Sequence, residues 1–251
     1  MTKATRKQTL PLPNVPHRSL GRPERWLSRL VRAAITTFCV SISAAAWADA
    51  KSFDFSDFDG ISAAEGIHMQ VTTGEAFEVT AESEDARQLE LLNLNVQHGT
   101  LRAQMDNWPF PPAWTERSRV TVRVTMPSLI HAEVSSGAKL VADTMSGSAL
   151  EAASSSGSTL QVSALDAGTL SVAVSSGAEI KIKGGTCMSL SADVSGGSSL
   201  DMENVACVDA EIDASSGSNA SVHADKSINA DASSGARIRV YGAHEELVFP
   251  T

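Results

Sequence analysis

The chain is poor in the residues that would mark an enzyme, a nucleic-acid binder or a membrane span. Aromatic residues make up 5% of its 251 positions, and cysteine occurs three times. Beyond residue 48 only one Tyr, two Trp (Trp108 and Trp114) and two Cys (Cys187 and Cys207) remain. Such a chain cannot build an aromatic-centred core, and its Ala, Val, Leu and Ile suit thin repeated layers. Positive charge is also scarce. Of 20 Lys/Arg and 29 Asp/Glu, eight basic residues and one acidic residue precede Asp49, which leaves 12 against 28, a net charge of −16. A surface of that sign is repelled by nucleic acid and by anionic lipid. There is no G-x-S-x-G elbow, and His68, His98, His131, His223 and His244 lack metal-ligand spacing. Gly184-Gly185 and Ser195-Gly196-Gly197 precede no helix pattern, so neither reads as a phosphate loop.

No apolar run is long enough to span a bilayer. The best candidate, Ala33–Ala48, has 16 residues and includes Thr36, Thr37, Ser41 and Ser43, short of the ~20 apolar residues a spanning helix needs. Arg22, Arg25, Arg29 and Arg32 precede it and Ala46-Trp47-Ala48 closes it. Residues 1–48 therefore read as a cleavable secretory signal, cut after Ala48. Cys39 has no small residue just before it and is not read as a lipid-attachment site. The expectation is an exported protein, periplasmic or extracellular, with no transmembrane span in its mature part.

What the sequence does have is a repeat. Ser-Ser-Gly or a close variant ends at Gly137, Gly157, Gly177, Gly197, Gly217 and Gly235, spaced by 20 residues four times and then by 18. A fixed period of this length signals a stacked solenoid. The third residue after each glycine is Leu140, Leu160, Ile180, Leu200, Ala220 or Ile238, and the fifth is Ala142, Val162, Ile182, Met202, Val222 or Val240. A second apolar trio recurs further on, as in Leu170, Val172 and Val174. Each unit thus predicts two short strands with one face inward. One unit cannot bury its inward face alone, so successive units stack ~4.8 Å apart as a single-stranded parallel β-helix, expected to be right-handed. The glycines are structural corners needing positive φ, and the serines beside them line the edge.

Residues 49–251 read as one β-helical domain, with N-terminal strands and a Trp-Pro loop over 49–119 and the Ser-Gly coils over 120–251. Alternation at Ile67, Met69 and Val71 and at Phe77, Val79 and Ala81, around Thr72-Thr73-Gly74-Glu75, predicts a hairpin-like pair. Residues 82–90 are charged enough for a helical turn, and Leu92 to Leu101 alternate around a His98-Gly99 turn. Three prolines break the pattern between Asp106 and Thr115. Trp108 and Trp114 in that loop either present a ligand platform or cover the open end of the solenoid.

Cys187 and Cys207 are one period apart, in the same position of adjacent coils. That places them close enough for a disulfide in an oxidising compartment, or leaves a buried ladder of two thiols. Asp193, Asp209, Glu211, Asp213 and Asp231 share the outer face of the second strand, with Asp193, Asp213 and Asp231 in one column. Such a column attracts divalent cations, calcium being the best suited. No Asp-x-Asp-x-Asp-Gly loop supports a dedicated site, so no bound cofactor is required and a solvated surface is the competing reading. On the other face Lys181 should stand over Asp201 and Lys183 over Glu203 as cross-strand pairs.

Phe58-Asp59-Gly60-Ile61, Gly66-Ile67-His68-Met69-Gln70-Val71 and Gly99-Thr100-Leu101 lead into Val122-Arg123-Val124-Thr125-Met126-Pro127. The serial Ser-Gly units follow, and Val240-Tyr241-Gly242 ends the series. In that order these motifs resemble the auto-transporter adhesin head GIN domain family, a bacterial exported domain of unknown function, from about Phe53 to Pro250. The resemblance implies an exported β-helix with adhesion as its suggested role and no catalytic residues to carry over. Neither the Trp-Pro loop nor the cysteine pair belongs to the family pattern. The expected function is a non-catalytic binding or adhesion module for a glycan or an envelope component. The alternatives are a carbohydrate-active β-helix enzyme (a polysaccharide lyase or hydrolase), whose paired carboxylates are not evident here, and a purely structural envelope protein.

Overall fold

A computed structural model describes residues 49–106 and 119–242, together with the backbone of 246–248. The expected signal segment and both Trp108 and Trp114 lie outside the described residues.

In chain order the elements are β1 (Asp49–Phe53), β2 (Gly60–Ala63), β3 (His68–Thr73), β4 (Glu78–Ser83), the short helix α1 (Ala86–Leu91), β5 (Leu92–Gln97) and β6 (Thr100–Met105). They continue with β7 (Thr121–Met126), β8 (His131–Val134), β9 (Lys139–Ser154), β10 (Thr159–Val174), β11 (Glu179–Ile182) and β12 (Gly185–Val194). The last four are β13 (Ser199–Ala214), β14 (Asn219–Ala232), β15 (Arg237–Tyr241) and β16 (Glu246–Val248). From β8 onward each coil pairs in parallel with its neighbours, and the repeat sets the register. Leu140, Leu160, Ile180, Leu200, Ala220 and Ile238 pair in succession. The first four are fully buried, each contributing roughly 1.5–3 kcal/mol relative to exposure. The fold is thus the expected parallel β-solenoid.

Two separate strands per coil, as expected, form at β11 and β12 but not in the other long coils. In β9, β10 and β13 one strand of 16 residues runs through the whole coil. Along it two consecutive side chains turn outward, as at Ser163 and Ala164 or Glu203 and Asn204. Each such step shifts the alternation by one, so an extra inward run appears between the two expected ones. It holds Met145, Leu165 and Val205, then Ala167, Cys187, Cys207 and Ala224, all buried.

The corner is a stack of turns with positive φ at two successive residues. Ser136 has φ 51° and Gly137 φ 71°, and the Ala138 amide donates to the Ser135 carbonyl at 3.0 Å, the pattern of a type I′ turn. Gly137 in turn donates to the Ser156 carbonyl of the next coil at 3.1 Å, and the same bond recurs at Gly157, Gly177, Gly197 and Gly217. The middle serine therefore shares the left-handed conformation that the sequence assigned to glycine alone.

Strand order corrects the N-terminal half most. β3 and β4 do not form a hairpin: β7 lies between them, parallel to β3 and antiparallel to β4. Likewise β2 sits between β6 and β8, parallel to both. Residues 60–73 thus form one coil slotted between the coil of β6 and β7 and the coil of β8 and β9. Each edge of β3 offers backbone N–H and C=O groups to a parallel partner, and alternation buries one face of it, so that Val122, Met69 and Leu140 line up in one buried column. Beyond β6 and β7 the ladder reverses direction. β5 pairs antiparallel with β6, and β4 and β1 add antiparallel strands to β7. With α1, capped at Asp85, they cover this end of the stack. Among the described residues no helix is long and apolar enough to cross a membrane.

Candidate functional site

The last inward run of each coil buries Leu150, Leu170, Leu190, Ala210 and Ile228, none more than 6% exposed. On its outer side the alternate residues are short. Ala149, Thr169 and Ser189 form one column with Asp209 and Ser227, and Ser171 and Ser191 stand between Glu151 and Glu211 in the next. Short side chains stacked in columns leave a furrow along the solenoid axis. A cavity of about 680 Å³ extends from Ile130 and His131 to Ser189 and Ser191, and a second of about 340 Å³ continues from those serines to Ser227 and Asn229. The two share Ser189 and Ser191, so the furrow crosses successive coils without a break.

The lining mixes hydroxyls and carboxylates with the apolar Ile130, Ala149, Leu150 and Leu170. At one end His131 Nδ1 lies 3.2 Å from Glu151 Oε2. The Thr169 hydroxyl donates to the Ser148 carbonyl at 3.4 Å, and at the other end the Ser227 hydroxyl donates to Asp209 at 2.5 Å. Glu151 and Glu211 are exposed. Beside the furrow the register pairs Asp193 with Asp213 and Asp213 with Asp231, which places the three in the column the spacing implied. Among the described residues, no group of three or more His, Cys, Asp or Glu has the geometry to hold a metal. His131, one of the scattered histidines, is the residue sequence reasoning left out of the site. Only its pairing opposite Glu151 in the next coil reveals its place.

Other singled-out residues have structural roles. Cys187 and Cys207 form a disulfide with Cα atoms 4.4 Å apart. Both are buried, so the bond lies in the core, two residues before Ser189 and Asp209, neighbours in one column of the furrow. It sits where the ladder is least regular. β11 and β12 are separate strands, and the pairing of β13 with β14 shifts between Met202 and Ala206 and again between Cys207 and Asp209. Ser158, Ser198 and Ser218 are buried just inside the corners. Their hydroxyls donate to the carbonyls of Val134, Val174 and Val194 at 2.8, 3.0 and 2.8 Å, tying each coil to the one before.

On the outer face carried by β3, β7, β11 and the first parts of β9, β10 and β13, two ion pairs form. Lys181 bonds Asp201, and that hydrogen bond, reinforced by the carboxylate charge, raises the lysine's pKa. No ion pair joins Lys183 to Glu203 among the described residues; the strand ends at Ile182, before Gly184-Gly185, so that cross-strand pair does not form. Arg123 reaches Glu82 at 3.2 Å and Gln70 at 2.5 Å. On the same face His68 is half-buried, with Nε2 enclosed and unpartnered. Burial first, then the charges of Lys139, Arg119 and Arg123, push its pKa below the usual 6.5.

Comparison with known proteins places this geometry. The family model for the putative auto-transporter adhesin, head GIN domain, matches residues 57–243. No curated protein matches the sequence. A putative adhesin from Bacteroides fragilis has a similar solved structure, with TM-score 0.67, 14% identity and coverage of 79% of this chain and 95% of the other. A putative lipid binding protein from Parabacteroides distasonis aligns with TM-score 0.54 at 15% identity, covering 78% and 94% of the two chains. A putative adhesin from Parabacteroides merdae aligns with TM-score 0.54 at 15% identity, covering 78% and 93%. At these identities the likeness is one of fold.

Proposed function

The chain belongs to the head GIN domain family of auto-transporter adhesins, and from that footing we propose that it is an exported, non-catalytic binding module that holds an extended glycan along its outer furrow. The observation that carries this reading is the furrow's continuity. It crosses the coils from His131 to Asn229, with hydroxyls and carboxylates along its sides. An extended polymer lying along the axis meets a similar set of groups every ~4.8 Å, the spacing of stacked strands. The sealed floor supports a polar ligand over an acyl chain. Leu150, Leu170 and Leu190 are at most 3% exposed, so the floor offers an acyl chain no apolar slot, and Ile130 and Ala149 at the His131 end supply part of the apolar lining. The furrow is open rather than enclosed, and His131 is its only imidazole, which supports holding a ligand over turning it over.

The test uses the mature chain, residues 49–251, against immobilised glycans and envelope fractions, with and without calcium. Saturable glycan binding is expected. Ser191→Trp, in the segment shared by both halves of the furrow, is expected to remove it, while Gln161→Trp on the opposite face keeps it. Wild-type affinity in the Ser191→Trp protein would show that the contact surface lies elsewhere.

A further inference from the structure

The furrow's charge has one sign. Its lining carries Glu151, Asp209 and Glu211 and no Lys or Arg. Alongside it run Glu133, Asp193, Asp213 and Asp231, which pair in register with Ser62, Ala173 or one another. Basic residues stand only at the two ends, Arg102, which pairs in register with Ser62 beyond Glu133, and Lys226 next to Ser227. Among the described residues the sole ion pair on this surface is His131 with Glu151. Carboxylates directly opposite each other across strands are destabilising. On the other face the chain answers that cost with Lys181 against Asp201 and Arg123 against Glu82. Here it does not, although the same repeat offers the same cross-strand positions.

We propose that the furrow selects a linear glycan bearing free amines, a deacetylated amino-sugar chain, over neutral and anionic glycans. The proposal rests on the reading of the furrow as a glycan site and names the class of sugar. Ammonium groups along the chain would supply the cations that the stretch between Arg102 and Lys226 lacks. The carboxylates are spread along the axis rather than gathered at one point: Glu151 and Glu211 are three coils apart in one column, about 14 Å at the ~4.8 Å strand spacing. That distribution suits a polymer with repeated charge better than a single ion. Between them Ser171, Ser189 and Ser191 offer hydroxyls to the sugar hydroxyls. A uronate or sulfated chain would bring like charge against this wall, which costs affinity.

The experiment compares hexamers of glucosamine, N-acetylglucosamine and galacturonate by titration calorimetry at mildly acidic pH and low salt. The amine chain is expected to bind about tenfold more tightly than its acetylated counterpart, the low end of what a cleft lined by one sign of charge gives. High salt should shrink that margin. Glu151→Gln combined with Glu211→Gln is expected to bring the two affinities together, and Glu179→Gln on the opposite face to leave the margin intact. Equal binding of the amine and acetylated hexamers overturns the proposal while the furrow remains a glycan site, and tighter binding of galacturonate does the same. A lysine hexamer that matches the glucosamine hexamer overturns the assignment to a sugar. Failure of every hexamer to bind removes this proposal together with the reading beneath it.

Discussion

On one outer face Lys181 meets Asp201 and Arg123 meets Glu82; on the furrow face Asp193, Asp213 and Asp231 stand opposite one another with no Lys or Arg paired to them among the described residues. Both faces are built from the same coils and backbone ladder, and both bury leucine and isoleucine columns behind them. Fold stability therefore does not account for the difference. On the first face two charge pairs cross strands and help to hold register, although Lys139, Glu179, Lys183 and Glu203 enter no ion pair among the described residues. Where small hydroxyls and unanswered carboxylates share a furrow, the surface is incomplete by itself.

Three measurements, in descending order of expected effect, test how separate the two faces are. Replacing both cysteines with alanine removes a cross-link closing a 20-residue loop, about 3 kcal/mol on the chain-entropy account. Urea unfolding should show that loss. Because Cys187 and Cys207 lead directly into Ser189 and Asp209, neighbours in one column of the furrow, hydrogen exchange should rise first in β12 and β13 rather than in β3 and β7. Uniform loosening would mean the faces are not separable. His68 sets a smaller, pH-dependent effect on the paired face. Its folded pKa lies below the usual 6.5, so the unfolded chain binds the proton more readily, and stability falls as the pH drops below about 6.5. His68→Gln should flatten that decline in thermal melts recorded across the window, with glycan affinity unchanged. A slope that persists would assign it to other groups. The smallest effect is expected at Lys181, whose half-buried pair is still largely screened by solvent. Lys181→Met should leave both the melting temperature and glycan binding within experimental scatter, and a clear loss of binding would draw the paired face into the site.

The periodic part of this molecule was readable in advance because identical spacing places identical positions above one another. Leu140, Leu160, Ile180 and Leu200 announce their column, Cys187 and Cys207 their proximity, and Asp193, Asp213 and Asp231 their shared edge. The extra inward run was not readable. Two adjacent outward residues at each bend, such as Ser163 and Ala164, break the alternation that marks a strand, and the buried Met145, Leu165 and Val205 look irregular in one dimension. The furrow escaped notice for a related reason. Ser171 and Ser191 are unremarkable one at a time, and they become a hollow only when stacked between Glu151 and Glu211. His131 carries no local signal at all.

The sequence by itself determined the solenoid, its 20-residue coil and the positions of its corners, because a repeated apolar pattern can bury itself only by stacking in register. The tertiary structure alone decided which coil lies next to which at the N-terminal end. Residues 60–73 do not repeat, and the backbone edges of their strands accept any partner with matching alternation. Only the closed stack, with β6 and β7 on one side and β8 and β9 on the other, leaves no backbone edge of that coil unpaired.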